Sequence, residues 1–368
     1  MPISAVDTIT LAFQHTKRQL IQPFRFGQWS RLALVGLLAG EMSSSGSCHA
    51  PGNLKLPQHP GASRHLLDAG FGSIDPAVYG ALIAVLVVAA LVFGILFMYI
   101  SSVMRFILFD SVLAKECHIR QGWNRRQVPG WRYFLFQLSY TLATLAGLIL
   151  FVGIPALFAY TAGWFHEPRQ HLLGLVLGGV ALFFVLVIFL VTAAVVHVLT
   201  KDFVVPQMAL EGIGVIEGWR RLWPMLQSEQ GGYAGYIGMK IVLAIAAGFV
   251  IGLVSLVVAL LFLIPAVGLV IVIVAGGKTA GLTWNLYTIT IAVVLGCIVL
   301  AVFMYLLSLI AVPAIVFFPA DSIYFFAARY RALSLVLYPP PPPAQVVGSG
   351  GGPPQEPPPL PPIPQPIG

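Results

Sequence analysis

Charge is what this chain has least of. Only 9% of its residues are Asp, Glu, Lys or Arg, against roughly 25% in an ordinary soluble domain. The scarcity is uneven. No Asp, Glu, Lys, Arg or His occurs in 77–104, 133–165, 172–196, 241–277 or 279–320. Each run exceeds the roughly 20 residues that carry a helix across a hydrocarbon core. A soluble domain is excluded, and an all-α, polytopic transmembrane helical bundle follows. The absence of charge also weighs against coupled transport. Ion-coupled transporters and channels usually keep a carboxylate, His or Arg at mid-membrane depth, whereas Glu41, Asp110, His197 and Lys240 fall near the ends of their runs.

Cysteine is nearly as scarce, with Cys48, Cys117 and Cys297 alone. The topology derived below places them outside, in the cytosol and within the membrane, so no disulfide within the chain is expected and they read as small packing residues. The chain has no His-Glu-x-x-His, no Cys-x-x-Cys and no nucleophile elbow. Without an acid, base and nucleophile set it reads as a non-enzyme with no cofactor. Gly276-Gly277-Lys278-Thr279 imitates the end of a phosphate-binding loop, but Val272 stands where the first glycine belongs and no strand precedes it. Cys48, His49, His59, His65, Asp68 and Asp75 lie in a Ser-, Gly- and Pro-rich stretch, 42–75, whose spacing matches no zinc pattern. That stretch reads as a solvated extracytoplasmic loop.

What the chain does have is concentrated in Thr200–Leu226. This stretch leaves an apolar run, bends at Pro206, and continues as a helical pattern through Gly218-Trp219-Arg220-Arg221. Ala209, Ile213, Ile216, Trp219, Trp223 and Leu226 recur at three- and four-residue spacing, giving one apolar face. Asp202, Glu211 and Glu217, close to Lys201, Arg220 and Arg221, read as partners in interfacial ion pairs. Trp beside Arg at the end of an apolar run is what a membrane–water interface selects. Trp219 and Trp223 are therefore expected at headgroup depth on one face, with Arg220 and Arg221 flanking it. The rival reading is plain anchoring of the neighbouring spans.

Weaker copies follow other runs. Gly122-Trp123-Asn124-Arg125-Arg126 parallels Gly218-Trp219-Arg220-Arg221, which makes Trp123, Arg125 and Arg126 the lipid-facing counterparts in the preceding unit. Ile154-Pro155-Ala156 matches Ile264-Pro265-Ala266 at an offset of 110 residues, and Val205-Pro206 matches Val312-Pro313 at 107. These landmarks predict six spans in three units of two, with interfacial segments between and after the pairs. The first span is the shortest, running from Trp29 towards Cys48. Pro155, Pro206, Pro265 and Pro313 are expected to kink or end their helices, since proline loses one backbone bond and clashes with the carbonyl four residues back.

Orientation follows from the basic residues. Six spans place sixteen of the 20 Lys and Arg on the side of Arg105, Arg126 and Arg221 and four on the other. The crowded side is cytosolic, with both termini inside the cell membrane. The net charge of +7 is thus a topology signal and excludes nucleic acid as a partner. Residues 4–22 read as an amphipathic helix on the cytosolic face. The six-span domain covers 1–338. The remainder, 339–368, is dominated by proline around a Gly-Ser-Gly-Gly-Gly patch and reads as a polyproline II tail with a flexible joint. It is either a spacer or the ligand of a protein partner's aromatic groove.

At Val205-Pro206, Glu211 and Glu217-Gly218-Trp219-Arg220-Arg221 the chain resembles a class of bacterial and archaeal six-span proteins. That class includes the membrane domains attached to some glycerophosphodiester phosphodiesterases. The resemblance implies the layout of 1–338. No phosphodiesterase catalytic domain accompanies it here, so it implies no activity. Two functional classes stay open. One is a non-catalytic scaffold or accessory protein acting on membrane lipid and a partner. The other is a transporter or lipid-handling protein using the kinked third and fifth helices. A polar pocket beside Pro155 and Pro265 would favour the second.

Overall fold

The computed structural model describes residues 5–22, 24–41, 76–164, 171–279 and 286–339. The loop 42–75 and the tail from 340 lie outside the described residues, as do the histidine-rich set and the proline-rich segments read from them. The described chain is helical, with no strand. Five helices are long and apolar enough to cross a membrane: Ile83–Ala114, Ile119–Thr161, Leu172–Glu211, Gln230–Pro265 and Thr290–Ala327.

In chain order, α1 (Ala5–Leu20) and α2 (Phe26–Leu38) precede α3 (Pro76–Ala114), α4 (Ile119–Thr161) and α5 (Leu172–Leu199). A π turn, Thr200–Val204, leads into α6 (Val205–Glu211) and α7 (Val215–Ser228). The chain then forms α8 (Gln230–Thr279), α9 (Leu286–Ala327) and α10 (Arg331–Leu337). α2 has 13 residues and packs between α3 and α9; the first span read from the sequence runs on from Trp29 towards Cys48, so its second half lies outside the described residues. The contact of α2 with α9 is close, because a Cβ on Gly36 would meet Ile315 Cγ2 at 2.5 Å. Trp29 Nε1 donates to the Leu309 carbonyl at 2.9 Å, and Ser308 Oγ donates to that of Ala33 at 2.5 Å. α2 stops because Gly40 takes a left-handed conformation, φ +74°, which glycine adopts without steric cost. The turn carries Glu41 into the protein, where it is buried.

Of the two alternatives read for the prolines, kinking or ending a helix, the second does not occur at three of them: Pro155 lies inside α4, Pro265 inside α8, and Pro313 inside α9 together with Pro319. The physical reason is the solvent. A broken helix in hydrocarbon strands several backbone groups, whereas a continuous one through proline loses a single bond. The segment 105–132 is likewise not a separate interfacial helix. Arg105–Ala114 is the end of α3, and Trp123, Arg125 and Arg126 belong to the first turns of α4. α3 and α4 pack along each other, most tightly at Gly130, where a Cβ would lie 2.7 Å from Val103 Cγ2 and 3.2 Å from Val103 Cα. The pattern around Trp219, by contrast, does form its own helix, α7, separated from α6 by Gly212 at φ +69°.

The buried core lies at one end of the helices. It joins Val103–Val112, Tyr133, Leu199–Ala209, Leu222, Tyr233 and Tyr236 to the stretch of α9 from Ala311 to Ala327. At its centre Phe203 touches Tyr233, Tyr236, Phe325 and Phe326, with ring centroids 5.2–5.9 Å apart. Away from this end the helices are bare. In the most apolar stretches of α3, α5 and α8 no residue is buried. α1 is built to suit such a boundary. It buries Thr8, Ala12, His15, Thr16, Gln19 and Leu20 and exposes Val6 and Phe13 beside Asp7, Gln14, Lys17 and Arg18, a mixed apolar and basic face of the kind that suits a membrane–water interface.

Candidate functional site

The site begins with Pro206. Having no N–H, it cannot donate to the Asp202 carbonyl as an α-helix requires. The backbone opens into a π turn, in which Val205 N–H donates to the Thr200 carbonyl five residues back. Single π turns inside helices recur at functional sites. The extra residue brings the sequence neighbours Lys201 and Asp202 both inward, their side chains 11% and 4% exposed.

Each finds an opposite charge from a distant helix. Lys201 pairs with Glu41 from the turn after α2, and Asp202 pairs with Lys240 of α8. The Tyr236 hydroxyl, one turn before Lys240, donates to Asp202 Oδ2 at 3.0 Å. Arg105 of α3 donates through Nη1 to the Tyr133 hydroxyl of α4 and through Nη2 to the Ala39 carbonyl at 3.3 Å. The Trp219 indole closes the outer side by donating to Thr200 Oγ1 at 3.1 Å. Between these groups lies a cavity of about 30 Å³, walled by Glu41, Arg105, Lys201, Asp202, Lys240 and Ser322 with Phe109, Pro206, Phe318 and Pro319. That is room on the order of one water molecule.

A second layer surrounds the cluster. Arg126 grips Asp110 with two bonds of 2.7 Å and donates to the Ala209 carbonyl at 2.6 Å, while Arg132 donates to the Gly212 carbonyl at 3.1 Å. These two arginines satisfy carbonyls left open at the end of α6. Arg221 pairs with Glu211 and, at 3.3 Å, with Glu217. The two carboxylates raise its pKa, Glu211 first. Tyr330 also bonds Glu211; burial and then that carboxylate push its phenol upward. Arg329 stacks 3.8 Å from the Phe325 ring and holds Glu229 through bonds of 2.7 and 2.6 Å, which lower the Glu229 carboxyl.

The residues singled out from the sequence are thus divided. Glu211 and Glu217 pair with Arg220 and Arg221 as the spacing suggests, but Asp202 is drawn into the interior by Lys240. Trp219 is half-buried against the cluster, whereas Trp223 is 53% exposed, so the two do not share an environment. Trp123 is half-buried beside Tyr99, Arg125 is exposed and Arg126 is buried. Sequence spacing does not group Glu41, Arg105, Tyr133, Tyr236 and Lys240 as a set. The available signal was that Arg105, Lys201 and Lys240 each adjoin the same end of an apolar run, hence one depth. Beside Pro155 and Pro265, Ile154 and Ile264 stand on the surface, 59% and 69% exposed.

Long apolar helices meeting in a charged core at one end define a polytopic helical membrane protein. The chain belongs to a family of unknown function, DUF7544, whose model matches residues 3–336. No curated protein and no solved structure matches it.

Proposed function

We propose that the protein is a non-catalytic scaffold or accessory protein of the cell membrane. In this reading it crosses six times in three two-helix units, with both termini in the cytosol and with α1 and α7 on the inner leaflet. The observation that carries the proposal is the division of labour along the helices. Ion pairs and aromatic packing lock one end, while Phe183, Phe184, Phe249 and Leu261 farther along stand 59–74% exposed. Large apolar surfaces of that kind suit contact with lipid or with the membrane helices of another protein. The core cavity has room on the order of one water, and the open groove of about 480 Å³ lined by Asp110, Glu116, His118 and Arg126 lies at the charged end of the helices, away from Pro155 and Pro265. The likeness of Val205–Arg221 to the membrane domains of glycerophosphodiester phosphodiesterases supports the six-span layout. The proline-rich tail is a second route to a partner.

The test is purification of the full chain in mild detergent, with mass spectrometry of the proteins and lipids that accompany it. A partner in near-stoichiometric amount together with enriched anionic lipid is the expected result. A chain that purifies without protein partners and drives solute exchange across reconstituted vesicles would overturn the proposal in favour of transport.

A further inference from the structure

The open groove of about 480 Å³ is within the size range of a small-molecule site. It lies where three membrane-length helices reach their charged ends. Asp110 and Ala114 belong to the last turns of Ile83–Ala114, Leu210 to the last turn of Leu172–Glu211, and His118 precedes Ile119–Thr161. α3 ends at Lys115, whose left-handed φ of +59° turns the chain and leaves Glu116 on the groove wall. Gly122 lets α4 come against α3 here, since a Cβ on it would meet Ile107 Cγ1 at 3.1 Å. Leu113, Leu210 and Val336 give the wall an apolar part.

Asp110, Glu116, Arg125 and Arg126 all line the groove, but they are not equivalent. Asp110 and Arg126 engage each other through two bonds of 2.7 Å. Glu116 has one contact, 3.3 Å from Oε2 to His118 Nε2, and Arg125 forms no ion pair or hydrogen bond among the described residues. A carboxylate and a guanidinium thus stand on one groove without meeting each other. Opposite charges held apart are the complement of a dipolar ligand, and the adjoining apolar wall suits one that also carries hydrocarbon. A singly anionic headgroup would satisfy Arg125 but set its charge against Glu116.

We propose that this groove binds a phospholipid with a zwitterionic, primary-amine headgroup, its phosphate on Arg125 and its ammonium on Glu116. The ammonium donates a charge-assisted hydrogen bond to the carboxylate, which a trimethylated amine has no N–H to make. The glycerol and the first methylenes lie against Leu113, Leu210 and Val336. The site is separate from the exposed Arg220 of α7. The inference rests on reading this end of the helices as the inner-leaflet face of a membrane protein; it requires neither a protein partner nor a scaffold role.

The test is native mass spectrometry of the full chain in detergent, titrated with phosphatidylethanolamine, phosphatidylcholine or phosphatidylglycerol of the same acyl chains. The groove's share of the binding is the part removed by Ala114→Phe, which fills the groove and leaves both charges in place. That share should be about two- to fivefold tighter for phosphatidylethanolamine than for either other lipid. Arg125→Gln should weaken it for phosphatidylethanolamine, and Glu116→Gln should abolish the preference. Ala114, Glu116 and Arg125 are all exposed, so unchanged thermal midpoints are expected and show that the variants are folded. Soluble glycerophosphoethanolamine, which has the headgroup without acyl chains, should not compete at equal concentration. Lipid binding undiminished in Ala114→Phe would overturn the proposal, as would equal binding of the three lipids or a preference kept in Glu116→Gln. Full competition by glycerophosphoethanolamine would overturn it in favour of a soluble ligand. Headgroup selectivity in a chain that purifies without a protein partner would leave this site standing while the scaffold reading fell.

Discussion

Arg126 and Asp110, sixteen residues apart, form the fork that closes the α3–α4 hairpin, with Nε to Oδ2 and Nη2 to Oδ1 both at 2.7 Å. The Arg126 side chain is 10% exposed, and its third nitrogen caps the Ala209 carbonyl. One side chain thus ties α3, α4 and α6 together. Arg126→Gln removes the ion pair and the cap at once and should cost about 2–4 kcal/mol. Arg126→Lys should recover only part of this, because an ammonium cannot make the planar two-pronged contact. Thermal unfolding in detergent reads both. An unfolding midpoint unchanged in Arg126→Gln would mean that the fork holds nothing.

Close backbone approach makes a second, purely steric prediction. At Gly130 an added Cβ would sit 2.7 Å from Val103 Cγ2 and 3.2 Å from Val103 Cα, whereas at Gly153 on the same helix nothing lies within 4 Å. Gly130→Ala should destabilise by about 1–3 kcal/mol. Gly153→Ala should be neutral or slightly stabilising, as alanine is the better helix former. Equal midpoints for the two variants would remove Gly130 as a packing point.

Acid should loosen α1. His15 is buried, with Nε2 2.9 Å from the Val112 carbonyl and Nδ1 3.1 Å from the Tyr324 hydroxyl. A carbonyl only accepts, so Nε2 carries the hydrogen and Nδ1 accepts from Tyr324. Burial first, and then the cations Lys115 and Arg18, lower its pKa below the usual 6.5. Because the folded value is depressed, the unfolded chain binds the extra proton. The stabilising contribution is therefore complete above about pH 6.5 and is lost as pH falls towards the folded value. Glu229, lowered by Arg329, acts in the same direction but in the carboxylate range, below its ordinary 4.5. Stability measured from pH 7.5 to 5 should fall in the wild type and fall less in His15→Gln. Parallel curves would assign the acid sensitivity elsewhere.

The arginines of α7 should separate lipid contact from internal pairing. The Arg220 side chain is 77% exposed, while Arg221 is engaged by Glu211 and Glu217. A basic side chain near an anionic leaflet contributes about 1 kcal/mol, or roughly fivefold in binding. Arg220→Gln should reduce co-purifying anionic lipid with no loss of insertion. Arg221→Gln should mainly loosen the contact of α7 with Glu211. If the doubly substituted protein inserts and retains as much anionic lipid as the parent, α7 is an anchor and nothing more.

Topology is open to direct measurement. A reporter fused after Asp68 should read as extracytoplasmic, and reporters after Arg126 and Gln230 as cytosolic. Asp68 and Arg126 on the same side would remove a crossing before α3 and with it the scheme of three units.

Some of this molecule is written locally. Apolar runs without charge become α3, α4, α5, α8 and α9 because burial of side chains and pairing of every backbone group are local demands in hydrocarbon. The helix around Trp219 is equally legible, since its period and the flanking Gly212 and Gly214 lie within a few residues. Proline is less legible for the same reason. A local rule lets Pro155, Pro265 and Pro313 kink or end a helix, and the apolar surroundings favour a helix that continues.

The sequence alone determined which residues are helical and which end of each helix carries charge, because both depend on near neighbours and on the solvent. Only the tertiary structure decided which charges meet. Glu41 and Lys201 are 160 residues apart, and Asp202 and Lys240 are 38. Nothing in their local sequence distinguishes a buried partner from a solvated interfacial one. The choice is made when Gly36 and Gly130 let α2, α3, α4 and α9 approach closely and Pro206 turns Lys201 and Asp202 inward. At that distance from water a charge must find its opposite, and the partner it finds is whichever one the packing has brought within reach.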